Sequence, residues 1–242
     1  MDRYQDGRLR RRQRNHSWPR LAPPWGRQTS GSDRAAVRAV LLSSGSVLAP
    51  GAADNPIAAS DLAVEQALAA TTGSTTFLRP GVFAANALQW SGAVKSGSAV
   101  DLPYPFSHAD PIHETDIAEA ALAVLTTPRL HGAAYELTGP ESLTFAEQIE
   151  ILSRAAGRKS AVNAVSREAW KATVAQYIPA PFADSLFDDW AVSDGVPVPL
   201  TRTVEELTGR PARPFAGWAR GHAPSPAESP GCGVRPDGML AA

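Results

Sequence analysis

The sequence predicts an α/β fold with a parallel sheet, and three observations lead there. Short apolar runs of strand length alternate with amphipathic segments of helix length, the pattern of parallel strands joined by crossover helices. The strand-like runs end in clusters of Ser, Gly or Pro, which punctuate strand-to-helix loops. A chain of 242 residues, 43% hydrophobic and 19% charged, has the size and composition to bury one such core. A small helical lobe is expected on the C-terminal side.

Order is expected from about Ala36. Val37-Arg38-Ala39-Val40-Leu41-Leu42 is an apolar run that stops at Ser43-Ser44-Gly45, as a buried parallel strand stops at a loop. Asp54 offers an N-cap and Pro56 suits a first helical turn. Ile57, Asp61, Val64 and Leu68 then recur at helical spacing, and Gly73 stops that helix. Thr75-Thr76-Phe77-Leu78 reads as a second strand entering Arg79-Pro80-Gly81. A helix is expected from Val82 toward Val94. Pro111-Ile112-His113 is extended, and Thr115 can cap a helix with the stripe Ile117, Ala121, Val124 and Leu125. Ala134-Tyr135-Glu136-Leu137 reads as a strand closed by Gly139-Pro140. Thr144 with Glu147 forms a capping box, and Gly157 ends the helix it starts. Thr203 with Glu206 is a second such box, followed by Gly209. Trp170, Phe182, Phe187 and Trp190 supply the apolar cover of the C-terminal lobe.

The charge is uneven. Residues 1–34 hold nine Arg and no Lys against three Asp, a net of +6, although the whole chain carries −1. Such a run can serve as a nucleic-acid arm or a transit peptide. It has neither an apolar core nor an amphipathic period, so residues 1–35 read as a disordered Arg-rich extension. Residues 223–242, rich in Pro and Gly, read as a disordered tail. The near-neutral balance gives no expectation of nucleic acid, and no apolar run reaches the 18 residues of a membrane span. Cys232, the single cysteine, has no internal disulfide partner, which suits a reducing, cytoplasmic setting.

Ser43 and Ser44 sit at the carboxyl end of a predicted strand, where open α/β sheets bind ligands; a turn cap is the plainer role. Asn86 and Trp90 follow the second strand and are candidates for a substrate cleft, with helix hydrogen bonding and core packing as the alternatives. His108, Asp110, His113, Glu114 and Asp116 form the densest group of ligand-type side chains, but their spacing matches no recognised metal site. Asp116 suits a helix N-terminus, and His113 is a candidate acid or base at a substrate. Arg79 suits a structural ion pair.

The ordered series Val40-Leu41-Leu42-Ser43-Ser44, Glu65, Leu78-Arg79-Pro80-Gly81-Val82-Phe83 with Asn86, Pro111-Ile112-His113-Glu114 with Asp116-Ile117-Ala118, Tyr135 to Glu141 and Leu207 to Pro211 resembles the NmrA-like, atypical branch of the short-chain dehydrogenase/reductases. The resemblance spans about Ala36 to His222. It implies a Rossmann-like parallel sheet, NADP or NAD as cofactor, and oxidoreductase chemistry on a small-molecule substrate. It also implies that Ser43, Ser44, Pro80, Gly81, Val82 and Phe83 lie at the nicotinamide, with Asn86, Trp90 and His113 on the substrate side.

Two departures qualify that picture. The family opens with a strand, a Gly-rich turn and a helix that hold the pyrophosphate. No G-x-G-x-x-G occurs here; Gly231-Cys232-Gly233 is a lone fragment of one, with Pro236 where the last Gly belongs. The Arg-rich segment stands where the first strands would be, so the expectation is an N-terminally truncated, incomplete sheet. The family's Tyr and the Lys four residues later are replaced, in the register anchored by Glu65, by Ile57 and Asp61. Ile has no proton to donate, and no catalytic residue is assigned. Beside the reductase expectation stand a non-catalytic dinucleotide-sensing regulator and an inactive fragment.

Overall fold

The computed structural model of the chain describes residues 39–70 and 74–222. The Arg-rich segment, Val37 and Arg38, Gly73, and the tail with Cys232 lie outside the described residues. In chain order the elements are β1 (Ala39–Leu42), α1 (Ala58–Ala69), β2 (Thr75–Pro80), α2 (Ser91–Ser96), β3 (Val100–Leu102), β4 (His108–Ala109), α3 (Glu114–Thr126) and β5 (Ala134–Leu137). There follow β6 (Leu143–Thr144), α4 (Phe145–Ala155), β7 (Val162–Ala164), α5 (Arg167–Val174), α6 (Ala180–Val192), α7 (Thr203–Thr208) and α8 (Phe215–His222).

The main sheet is parallel, in the order β1-β2-β5. Leu42 lies opposite Leu78, and Phe77 opposite Ala134, so the three carboxyl ends come out together. Helices sit in both crossovers, α1 between β1 and β2 and α3 between β2 and β5. They cover opposite faces, because alternate strand residues point opposite ways. Ser43 and Arg79 meet Glu65 of α1, whereas Leu78 packs with Ile117, Ala120 and Val124 of α3. Leu78, Ile112 and Leu137 are fully buried there, each stabilising the fold by about 1.5–3 kcal/mol. Among the described residues, no strand pairs with the outer edge of β1.

A second core lies where α4 and α8 pack together with α2, around Val94, Phe145, Ile149, Leu152 and Trp218. The parallel pair β3–β7 borders it, and β4–β6 is a short antiparallel pair. The expected C-terminal lobe is α5 with α6, built on Trp170, Phe187 and Trp190, whose rings meet edge to face at 5.4–6.0 Å. Phe182, expected in that cover, is 42% exposed.

Local signals succeed where the partner is near in sequence. The Thr144–Glu147 capping box forms in both directions. Gly157 follows α4 with a left-handed φ of 63°, which a side chain would resist. Four readings need correction. Asn55, not Asp54, caps the start of α1, its Oδ1 accepting the Ile57 N–H at 2.8 Å. His113, not Thr115, caps α3. Thr203 is the first residue of α7 rather than its cap, so no box forms with Glu206. The helix expected from Val82 is a 3-10 turn, Ala84–Trp90, that runs into α2. The apolar stripe read in α1 is also displaced. That helix buries only Ala58 and Glu65, because an ion pair anchors it to the sheet.

Candidate functional site

The site forms where the loops leaving β1 and β2 lie side by side. Parallel pairing fixes this arrangement, and the Ser43 N–H still reaches the Leu78 carbonyl at 2.8 Å. Beyond it the chain turns at Gly45–Leu48. Ser44 organises that turn: its Oγ accepts the Ser46 N–H at 3.2 Å and pairs with Ser46 Oγ at 2.9 Å. A side chain at Gly45 would begin 3.1 Å from the Pro80 carbonyl oxygen. The glycine lets the two turns approach.

Ser43 faces inward. It is buried, and its hydroxyl donates to Glu65 Oε1 at 2.6 Å. Arg79 grips the same carboxylate through Nε at 2.9 Å and Nη2 at 2.6 Å. The Arg79 hydrogen bond holds the Glu65 carboxyl below its ordinary range, against the opposing effect of burial and with help from Ser43. Arg79 is therefore the ion-pair partner expected of it, and the Ser43 side chain is committed to the sheet–helix contact.

The second turn, Pro80–Phe83, is fixed through its backbone. Gly81 N–H donates to the Leu137 carbonyl at 2.9 Å, Ala84 N–H to the Ile112 carbonyl at 2.9 Å, and Ile112 N–H to the Val82 carbonyl at 2.9 Å. Val82 N–H donates to Asp110 Oδ1 at 3.0 Å. Burial pushes the Asp110 carboxyl up from 3.8 to about 6; the Val82 hydrogen bond opposes this and the like charge of Glu136 adds to it.

Phe83 joins this turn to an apolar cavity of about 440 Å³, walled by Val40, Leu42, Leu78, Ile117 and Leu125, with Glu114 beside them. Leu42 and Leu125 are each more than half exposed at its opening. Asn86 is exposed in the 3-10 turn. Trp90 is elsewhere: its indole is buried in the second core, 5.7 Å from the Phe145 ring, so packing accounts for it. His113 is mostly buried at the start of α3. Its Nδ1 accepts the Thr115 N–H at 3.1 Å and lies 3.4 Å from Glu114 Oε2. His222 lies 6.3 Å away, ring to ring.

The ligand-type side chains have separate occupations. His108 pairs with Ser142, Glu114 accepts from Trp218 Nε1 at 3.0 Å, and Asp116 is bound by Arg213. Among the described residues, no group of three or more His, Cys, Asp or Glu could hold a metal. Ile57 and Asp61 stand at the start of α1, so no Tyr–Lys pair occupies that helix. Sequence reasoning missed what Asp110 and Arg213 do. Both act over long separations; the trace of Asp110 in the sequence is a glycine at 81 and another at 139, and Arg213 left none. A side chain at either position would collide with the Asp110–Pro111 segment.

No family model matches the chain. It is similar to the (4-alkanoyl-5-oxo-2,5-dihydrofuran-3-yl)methyl phosphate reductase of Streptomyces griseus, with 34% identity over 160 residues. That alignment takes in 66% of this chain and 57% of the reductase, so the chain spans little more than half of that relative's length. Agroclavine dehydrogenase of Claviceps fusiformis is 33% identical over 211 residues, covering 82% of this chain and 69% of that enzyme. Triphenylmethane reductase of Citrobacter sp., solved with NADP(H), shares the fold at a TM-score of 0.61 and 23% identity, covering 77% of this chain and 65% of that one. With a parallel sheet and a likeness sustained over 211 residues, the chain belongs to the NmrA-like atypical branch of the short-chain dehydrogenase/reductases.

Proposed function

We propose that this chain forms the nicotinamide-side part of an NAD(P)H-dependent oxidoreductase, with residues 36–222 as the domain. The observation that carries the reading is the contact of two turns, Ser43–Ser46 and Pro80–Phe83, at the carboxyl ends of adjacent parallel strands. Open α/β sheets bind ligands at that place. The residues suit a nicotinamide ring: small side chains and backbone on one side, the Phe83 ring and the apolar cavity on the other. They do not suit a pyrophosphate, since no Gly-rich turn opens a helix among the described residues. The similar proteins named above are a reductase, a dehydrogenase and a reductase solved with NADP(H), which supports the same reading.

A bound nicotinamide would supply a hydride. The chain's own contribution is placement. Ser44 shapes one of the two turns, and the Phe83 ring would form an apolar wall beside the nicotinamide. Reduction also needs a proton. With Ile57 and Asp61 in place of a Tyr–Lys pair, solvent would provide it, and His113 would be a substrate-side contact. Asn86 would meet a small-molecule substrate at the rim. The reading places the protein in the cytoplasm, with no nucleic-acid partner; among the described residues no helix is long and apolar enough to cross a membrane.

The test is titration of the purified chain with NADPH and NADH, followed by tryptophan fluorescence. A saturable change with Kd of about 100 μM or tighter, weakened in Phe83→Ala, is expected. No signal from a chain that still unfolds cooperatively would defeat the reading.

A further inference from the structure

Asp110 is a buried acid that the proposed chemistry does not use. The Asp110–Pro111 segment passes between two glycines at the sheet's carboxyl end. A Cβ on Gly81 would fall on the Asp110 carboxylate, and a Cβ on Gly139 would fall on the Pro111 carbonyl. Each side is hydrogen-bonded to the segment. Val82 N–H donates to Asp110 Oδ1 at 3.0 Å, and Gly139 N–H donates to the Asp110 carbonyl at 3.1 Å. One residue therefore joins the loop leaving β2, the loop leaving β5 and the extended segment that leads into α3.

We propose that Asp110 is a positioning residue that sets the backbone of the Pro80–Phe83 turn, and with it the affinity of that turn for a nicotinamide dinucleotide. The proposal rests on the reading of the site given above. A carboxylate binds an amide N–H about twice as strongly as a neutral acceptor does, so the turn is held more firmly when Asp110 is ionised. Burial places that change at about 6. The charged groups on the surrounding elements are few and mostly engaged. Glu136 of β5 adds like charge. Arg79 of β2 is bound to Glu65, His108 of β4 pairs with Ser142, and Asp116 of α3 is bound to Arg213. His113 and Glu114, at the start of α3, lie 3.4 Å from each other.

The experiment compares the full chain with Asp110→Asn and Asp110→Ala, using NADPH as the probe at pH 5.5 and pH 8. The Val82 amide resonance is followed over the same range without ligand. In the wild type, Kd is expected to rise about two- to threefold at pH 5.5, and the Val82 resonance to titrate with a midpoint near 6. In Asp110→Asn, which keeps an acceptor oxygen, both are expected to be flat. Asp110→Ala should bind more weakly at both values. An Asn variant with the wild-type pH dependence, or a Val82 resonance that does not move, overturns the proposal. A Val82 resonance that titrates in a chain that binds neither NADPH nor NADH would defeat the dinucleotide reading, and with it the ligand half of this proposal, while leaving the hold of Asp110 on the turn established.

Discussion

Replacing Gly81 with Ala should be costly, and the cost should depend on one other residue. The new methyl would occupy the space of the Asp110 carboxylate. Gly81 does not have a positive φ, so backbone strain is not the issue. Asp110 can yield only by leaving its rotamer and releasing Val82 N–H. An unsatisfied buried N–H costs about 1–3 kcal/mol, and an off-rotamer side chain about 0.5–1.5 kcal/mol. Loss of glycine freedom in the unfolded chain returns about 0.4–1 kcal/mol. The net expectation is a loss of about 2–3 kcal/mol, measured by urea unfolding with an unchanged slope. In an Asp110→Ala background the carboxylate is gone, and the same substitution should cost under about 0.5 kcal/mol. The coupling of about 2 kcal/mol identifies the contact. Two effects that add to within about 0.5 kcal/mol would refute the reasoning.

The remaining predictions concern charge. Arg79→Met leaves Glu65 buried without its cation, and about 3 kcal/mol of stability should be lost; urea unfolding near neutral pH reads it. Because Glu65 is held below its ordinary range, its contribution is present above the unfolded pKa and fades as pH falls through the folded one, so the gap between Arg79→Met and the wild type should narrow in acid. Asp110 has the opposite sign. Its folded pKa is raised from 3.8 to about 6, so its contribution is fully present below 3.8 and is lost as pH rises through 6. The full change is about 3 kcal/mol, of which about 2 kcal/mol falls between pH 4.5 and 7.5, and Asp110→Asn should abolish that part when unfolding is compared at those two values. Arg213→Ala removes the cation shared by Asp116 and Glu119, which leaves Asp116 buried and unpaired. A loss of about 2–3 kcal/mol is expected, with faster amide exchange in α7 and α8.

The parallel strands were readable because each is an apolar run closed by turn residues, as at Leu42-Ser43-Ser44 and Leu137-Thr138-Gly139. The α4 capping box was readable because both partners lie within one helical turn. Contacts made in the folded chain were not. The face α1 turns to the sheet is chosen by Glu65 meeting Arg79, 14 residues later, and this overrides the stripe through Ile57 and Val64. The Val82–Asp110 bond joins residues 28 apart, and Arg213 reaches Asp116 across 97. Nothing in periodicity carries such pairs. Of the candidate site, the sequence placed Ser43–Ser44 and Pro80–Phe83 at strand ends, and the structure brings those turns side by side. The sequence did not show that the Ser43 hydroxyl points toward Glu65, nor that Trp90 lies in the core.

The most direct measurement is hydrogen–deuterium exchange of the full chain with and without saturating NADPH. At a ligand concentration about a hundred times Kd, binding adds about 2.7 kcal/mol, which slows exchange by about a hundredfold where amides open only on release of the ligand. Protection concentrated in residues 43–46 and 81–84 is expected. Saturable binding that leaves both turns unprotected and protects some other part of the chain would contradict the assignment of the site.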